Sequence, residues 1–159
     1  AGLMIDAQGA PKIIEYNCRF GDPETQPIMV RLKSDLVALC LAAEDGRLDT
    51  QTCEWDSRAA VGVVLAAGGY PASYRKGDVI SGFDAAEATG CKVFHAGTAE
   101  QDGQVVTSGG RVLCVTALGD SVAAATERAY EGVDAISWQD MLVRRDIAWR
   151  AIARERGDS

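Results

Sequence analysis

Between Ala59 and Gly119 the chain is a succession of short apolar runs punctuated by glycine: "AAVGVVLAAGG", "DVISGF", "CKVFHAG", "QVVTSGG" and "RVLCVTALG". None reaches helical length before a glycine interrupts it, and valine recurs in all five, so this stretch is constrained to short β-strands joined by tight turns. Helical patterns flank the strands. "DSVAAATERAYEGV" opens on an Asp or Ser cap and carries Val122, Ala125, Ala129 and Val133 at helical spacing. The tail "RRDIAWRAIARER" sets Ile147 and Ile152 among arginines, which predicts a final surface helix held by one narrow stripe.

The first third reads differently. "LMID" and "KIIEYN" are short apolar runs joined by "AQGAP", whose Gly9 and Pro11 supply turn chemistry, so together they predict a β-hairpin. From Pro27 the apolar positions Ile28, Leu32, Leu36, Leu39 and Ala43 recur every three or four residues, predicting one amphipathic helix that ends near Gly46, with Thr25 as its cap. The polar stretch from Asp45 to Ser57 then reads as a connection between two units, 1–55 and 56–159. The expected class is α/β (α+β): a hairpin and helix, followed by a small mixed β-rich domain with flanking helices.

Composition narrows the function classes. With 47% hydrophobic residues among 159, a core can be built, and a net charge of -7 gives no basis for binding a phosphate backbone, so no nucleic-acid partner is expected. No apolar run approaches the roughly 20 residues of a membrane span, and the N-terminus lacks the basic and apolar regions of a signal peptide, so a cytoplasmic protein without a membrane partner is expected. Cys18, Cys40, Cys53, Cys91 and Cys114 are odd in number and never form a C-x-x-C pair; they read as reduced thiols, mostly in the core. His95, the single histidine, reads as structural, and Trp55, Trp138 and Trp149 as core packing.

The chemistry concentrates in "IIEYNCRFGDPETQP", Ile13 to Pro27. Side chains alternate along a strand, so Glu15 and Asn17 point the same way. A carboxylate and an amide oxygen on one face can share a hard cation such as Mg²⁺, which is held by few protein oxygens while phosphates and water complete its octahedron. The alternative is the solvent face of an amphipathic strand. Arg19 adds a bidentate clamp for phosphate or carboxylate, and Gly21 and Pro23 fix the loop around Asp22. A second candidate site lies downstream. "GGYPASYRKGD", with Tyr74, Arg75, Lys76 and Gly77, and "SGGR", with Gly109, Gly110 and Arg111, pair glycine-exposed amides with cations in the manner of an anion-binding concavity; two tight turns are the alternative.

"RFGDPETQ", Arg19 to Gln26, preceded by "IEYN", closely resembles the signature of the phosphoribosylamine–glycine ligases, members of the ATP-grasp superfamily. "SDLVALCLAA", "VVLAAGGYPASYRKGDVI", "KVFHAGT", "VVTSGGRVLCVTALG" and "RRDIAWRAI" extend the likeness over nearly all of the chain. The resemblance implies the C-terminal end of an ATP-grasp domain followed by the ligase's C-terminal domain. It also implies a reaction: ATP, glycine and 5-phosphoribosylamine give glycinamide ribonucleotide, ADP and phosphate through a glycyl phosphate. Glu15 and Asn17 match the family's Mg²⁺ or Mn²⁺ ligands. Arg19 is then the residue expected to grip the transferred phosphoryl group, and Asp22 the one expected to meet the incoming amine. Many ATP-grasp enzymes carry a further acid on the preceding strand, where Gly2 aligns here, so no third ligand is carried over. The upstream glycine-rich loop and lysines that hold ATP are not in this sequence. The chain is therefore expected to be part of a longer polypeptide, inactive without the rest of it, in an enzyme that is monomeric when complete. Another ATP-dependent carboxylate–amine ligase or carboxylase with the same tail, or a non-catalytic assembly domain, are the alternatives.

Overall fold

The computed structural model describes residues 2–157. Strands β1 (Gly2–Ile5) and β2 (Pro11–Glu15) pair antiparallel in the expected hairpin. Asp6 closes the turn by accepting the amides of Gln8 and Ala10, and Gly9 takes φ 82°, a conformation that favours glycine. The hairpin packs chiefly on itself, leaving Ile5, Ile13, Ile14 and Tyr16 more than half exposed.

The single helix expected from Pro27 to Gly46 is two helices, α1 (Thr25–Arg31) and α2 (Leu36–Glu44). Periodicity ran across the break because the apolar positions stay in phase, but the backbone between them is committed elsewhere. The Lys33 amide donates to the Glu54 carbonyl, the Ser34 hydroxyl accepts the Glu54 amide, and Leu32 bridges Trp55. Asp35 then restarts the helix by accepting the amides of Val37 and Ala38. Thr25 is the first helical residue rather than the cap; its hydroxyl donates back to the Gly21 carbonyl.

A four-stranded antiparallel sheet follows, built from β3 (Ala59–Ala66), β4 (Lys92–His95), β7 (Arg111–Gly119) and β8 (Leu142–Val143) in the order β4-β7-β3-β8. Between these lie α3 (Phe83–Ala88) and a two-stranded hairpin of β5 (Thr98–Gln101) and β6 (Gln104–Thr107). The run "DVISGF" is not a strand. Its backbone is divided between partners: Ile80 donates to Val105, while Ser81 exchanges bonds with Ser137, so no continuous ladder forms. Helix α4 (Val122–Ala135) starts at Ser121, whose hydroxyl accepts the Ala124 amide, and α5 (Trp149–Arg156) closes the chain. Ile147 precedes α5 rather than sitting on its stripe, and Glu155 of α5 caps α4 by accepting the amides of Val122 and Ala123. The mixed α/β class expected from sequence is the class observed.

The core lies between the sheet and α4. Val63, Leu65, Leu113 and Val115 meet Ala125, Ala129 and Val133, all at most 1% exposed; each fully buried leucine or valine contributes about 1.5–3 kcal/mol. On the other face, α1 lies across β3 and β7, and Gly62 makes that possible. A Cβ there would sit 3.2 Å from Pro27 Cγ and 3.1 Å from Cys114 Sγ. Of the tryptophans only Trp138 is buried; Trp55 and Trp149 are exposed, because the segments carrying them run along the surface. Likewise only Cys91 and Cys114 are buried, and Cys18, Cys40 and Cys53 are exposed free thiols.

One irregularity in the sheet bears on the site. Leu65 pairs with Leu113, but Ala66 pairs with Arg111, so Val112 is an extra residue in β7. Such a bulge re-aims the side chains beyond it. Regular pairing would set Val112 opposite Ala66 and turn Arg111 toward α4; instead Val112 is buried in the core and Arg111 faces the α1 side.

Candidate active site

β2 ends at Glu15, and the chain leaves the strand with its polar groups still in contact. The Asn17 amide nitrogen donates to Glu15 Oε1 at 3.1 Å, and Arg19 Nη1 donates to Asn17 Oδ1 at 2.6 Å. Glu15, Asn17 and Arg19 therefore form one hydrogen-bonded row although Asn17 lies beyond the strand. The loop then turns at Gly21 into α1. Two residues pin it from the helix: the Thr25 amide, at 2.9 Å, and the Thr25 hydroxyl both donate to the Gly21 carbonyl, and Gln26 Nε2 donates to Asp22 Oδ1 at 2.9 Å.

A third tether comes from 89 residues away in sequence. Arg111 Nη1 donates to the Asp22 carbonyl at 3.0 Å, and its Nη2 lies 3.2 Å from Asp22 Oδ2. The result is an open cavity of about 320 Å³ lined by Glu15, Asn17, Arg19, Phe20, Gly21, Asp22, Glu24 and Arg111. Three carboxylates face two guanidiniums, an arrangement that leaves room for a cation and for anionic groups in contact with arginine. Among the described residues no cluster of three or more His, Cys, Asp or Glu could hold a metal by itself. Asn17 turns its amide nitrogen to Glu15 and its oxygen to Arg19, so pairing its oxygen with the Glu15 carboxylate on one cation requires the amide to turn over; two protein oxygens are the small share that Mg²⁺ takes when phosphates and waters fill the rest.

The sequence predicts Arg111 in a separate downstream site with Tyr74, Arg75, Lys76, Gly77, Gly109 and Gly110. The two downstream loops do meet. The Gly77 amide donates to the Thr107 carbonyl, and the Tyr70 and Tyr74 rings close over Gly110, where any Cβ would run into Tyr70. Their cations diverge, however: Arg75 pairs with Asp78 and reaches Gln139 at 3.4 Å, Lys76 is exposed, and Arg111 turns into the cavity of Glu15 and Asp22. No signal in the sequence joins Arg111 to Asp22, because the link depends on the bulge at Val112.

Arg111 also borders a second cavity, of about 480 Å³, with mainly apolar walls that include Val64, Tyr70, Val143 and Ile147, and with Arg144 at its rim. Arg144 is held by Asp146 through two bonds of 3.0 and 2.7 Å, which draw the carboxyl of Asp146 below its usual range. Behind α1, burial pushes the Cys114 thiol up; the Thr116 hydroxyl opposes that and the Asp22 charge adds to it.

Residues 60–150 match the family described as phosphoribosylglycinamide synthetase, C domain, and residues 1–25 match its ATP-grasp (A) domain. The chain belongs to the phosphoribosylglycinamide synthetase family. It is 67% identical over 155 residues to a phosphoribosylamine–glycine ligase of Vibrio parahaemolyticus, covering 98% of this chain and 36% of the relative. The Escherichia coli K12 ligase is 66% identical over 156 residues with the same coverage, and that of Pseudomonas aeruginosa 64% over 159, covering 100% of this chain and 37% of the relative. A crystal structure of the Thermotoga maritima ligase superposes with a TM-score of 0.72 at 36% identity, covering 91% of this chain and 35% of that one. The chain thus spans little more than a third of the length of these synthetase-family relatives.

Proposed function

We propose that this chain belongs to an ATP-dependent ligase that joins glycine to 5-phosphoribosylamine, giving glycinamide ribonucleotide, ADP and phosphate. The convergence of Glu15, Asn17, Arg19 and Asp22 on one open cavity carries this reading, on a chain whose relatives bear that enzyme's name.

Glu15 and Asn17 are the residues that would hold Mg²⁺ or Mn²⁺, and a bound cation there would neutralise charge on the phosphates of ATP. Arg19 faces the group being transferred. When a glycine carboxylate oxygen attacks the γ-phosphorus and the bond to ADP breaks, negative charge spreads over the phosphoryl oxygens. A fixed guanidinium stabilises that charge without reorganising. The glycyl phosphate then meets the amine of phosphoribosylamine; the C–N bond forms, phosphate departs and the amine loses a proton. Asp22 orients that amine. One of its oxygens takes Gln26 and the other faces Arg111, and the remaining lone pairs can accept an amine N–H. Of the downstream substrate-binding candidates, Tyr74 packs over Gly110 next to Arg111, and Arg75, Lys76, Gly77 and Gly109 are the further residues offered to the ribose phosphate.

This chain forms two units that divide near residue 55, and the ATP-holding elements are further segments of the same polypeptide that cover the exposed hairpin. The complete enzyme acts as a cytoplasmic monomer on small molecules, with no nucleic-acid partner; no helix among the described residues is long and apolar enough to cross a membrane. ADP formation by the full-length protein tests the reading. It should require both glycine and phosphoribosylamine, and turnover with a different amine or carboxylate pair alone would overturn it.

A further inference from the structure

At the edge of the cavity both terminal nitrogens of Arg111 engage the loop: one donates to the Asp22 carbonyl and the other faces its carboxylate. We propose that Arg111 is a positioning residue that acts through Asp22, fixing the Gly21–Pro23 turn, and with it Arg19 and Asp22, against the sheet. The reaction it serves is that of the ligase reading above; the tether itself stands without it.

Three observations carry this. The bulge at Val112 interrupts the ladder between β3 and β7, and its consequence at the surface is that Arg111 faces the hairpin side instead of α4. Gly110 lets the Tyr70 and Tyr74 rings close in directly behind Arg111, backing it where a larger residue would displace them. Finally, β1 and β2 pack chiefly on each other, so the site loop is joined to the sheet by α1 on Gly62 and by this pair. Both partners are about 40% exposed, and an ion pair that open adds little to stability. What it supplies is registry between a strand end and a loop on separate elements, and small misplacements in an active site cost far more in rate than in folding.

Arg111→Ala and Arg111→Lys in the full-length protein separate positioning from substrate clamping. The alanine variant should lose about 10²-fold in kcat with KM for phosphoribosylamine near wild type, and lysine should restore part of it. Arg111→Ala combined with Asp22→Ala should cost less than the sum of the two single losses, because the carboxylate contact can be lost only once while the bond to the Asp22 carbonyl survives Asp22→Ala. Hydrogen exchange should quicken over Gly21 to Gln26 and stay unchanged in β3 and β7. A raised KM at unchanged kcat, additive losses, or unaltered exchange in the loop would each overturn the proposal. Wild-type protein without glycine-dependent turnover would overturn only the ligase reading, because exchange reports the tether in the absence of substrate.

Discussion

Glu15 and Asn17 show how far single residues can be read from a sequence. Their spacing placed them on one face, and they do meet, at 3.1 Å, although Asn17 lies past the strand. Arg111 could not be read in the same way, since one bulged residue decides which face it serves. Thiol environment was also only partly legible, because exposure depends on what packs over a segment rather than on the cysteine. Cys18, Cys40 and Cys53 should therefore react with a maleimide in the folded chain, whereas Cys91 and Cys114 should react only on unfolding, as mass spectrometry of labelled protein would show. Asp56 provides a pH test. Arg58 donates to it from its backbone amide, Nε and Nη2, holding the carboxyl well below the usual range. A carboxyl with a depressed folded pKa stabilises the fold above its unfolded value, near 3.9, and that contribution is lost as pH falls through the folded pKa. Acid titration of Asp56→Asn should lack this component.

At the level of elements, the strand runs of β3 and β7 and the α4 stripe were legible because each is long, apolar and bounded by glycine or a cap. The break between α1 and α2 was not, because it is imposed by backbone bonds to Glu54 across 20 residues. Asp35→Ala should remove the cap of α2 and cost about 1 kcal/mol, read by chemical denaturation. Strand β8 has two residues and pairs only with Leu65 and Ala66, too short a pattern to stand out. Gly62→Val should lift α1 from the sheet, since its side chain would press on Pro27 and Cys114. The expected loss is about 1–3 kcal/mol, with greater protease sensitivity in α1 than in α4. Leu65→Ala, in the closed core, should cost about 2–5 kcal/mol.

The whole molecule divides into a closed core and an open face. Sheet, α3 and α4 bury their apolar residues, while the hairpin leaves Leu3, Met4, Ile5, Ile13, Ile14, Tyr16 and Phe20 exposed next to the cavity of Glu15 and Arg19. Apolar area on that scale beside a charged cavity calls for a cover, and the relatives are nearly three times as long as this chain. The proposed role of the row from Glu15 to Asp22 is to serve a metal-bound nucleotide. The most direct measurement is glycine- and phosphoribosylamine-dependent ADP formation by full-length Glu15→Gln as Mg²⁺ is raised. Glutamine keeps volume and one carbonyl oxygen but removes the charge that holds the cation against its hydration shell. The expected result is a loss of about 10²-fold or more at ordinary Mg²⁺, partial recovery at high Mg²⁺ by mass action, and an unchanged melting temperature. Near-wild-type turnover at ordinary Mg²⁺ would contradict the account and leave Glu15 a solvated strand residue.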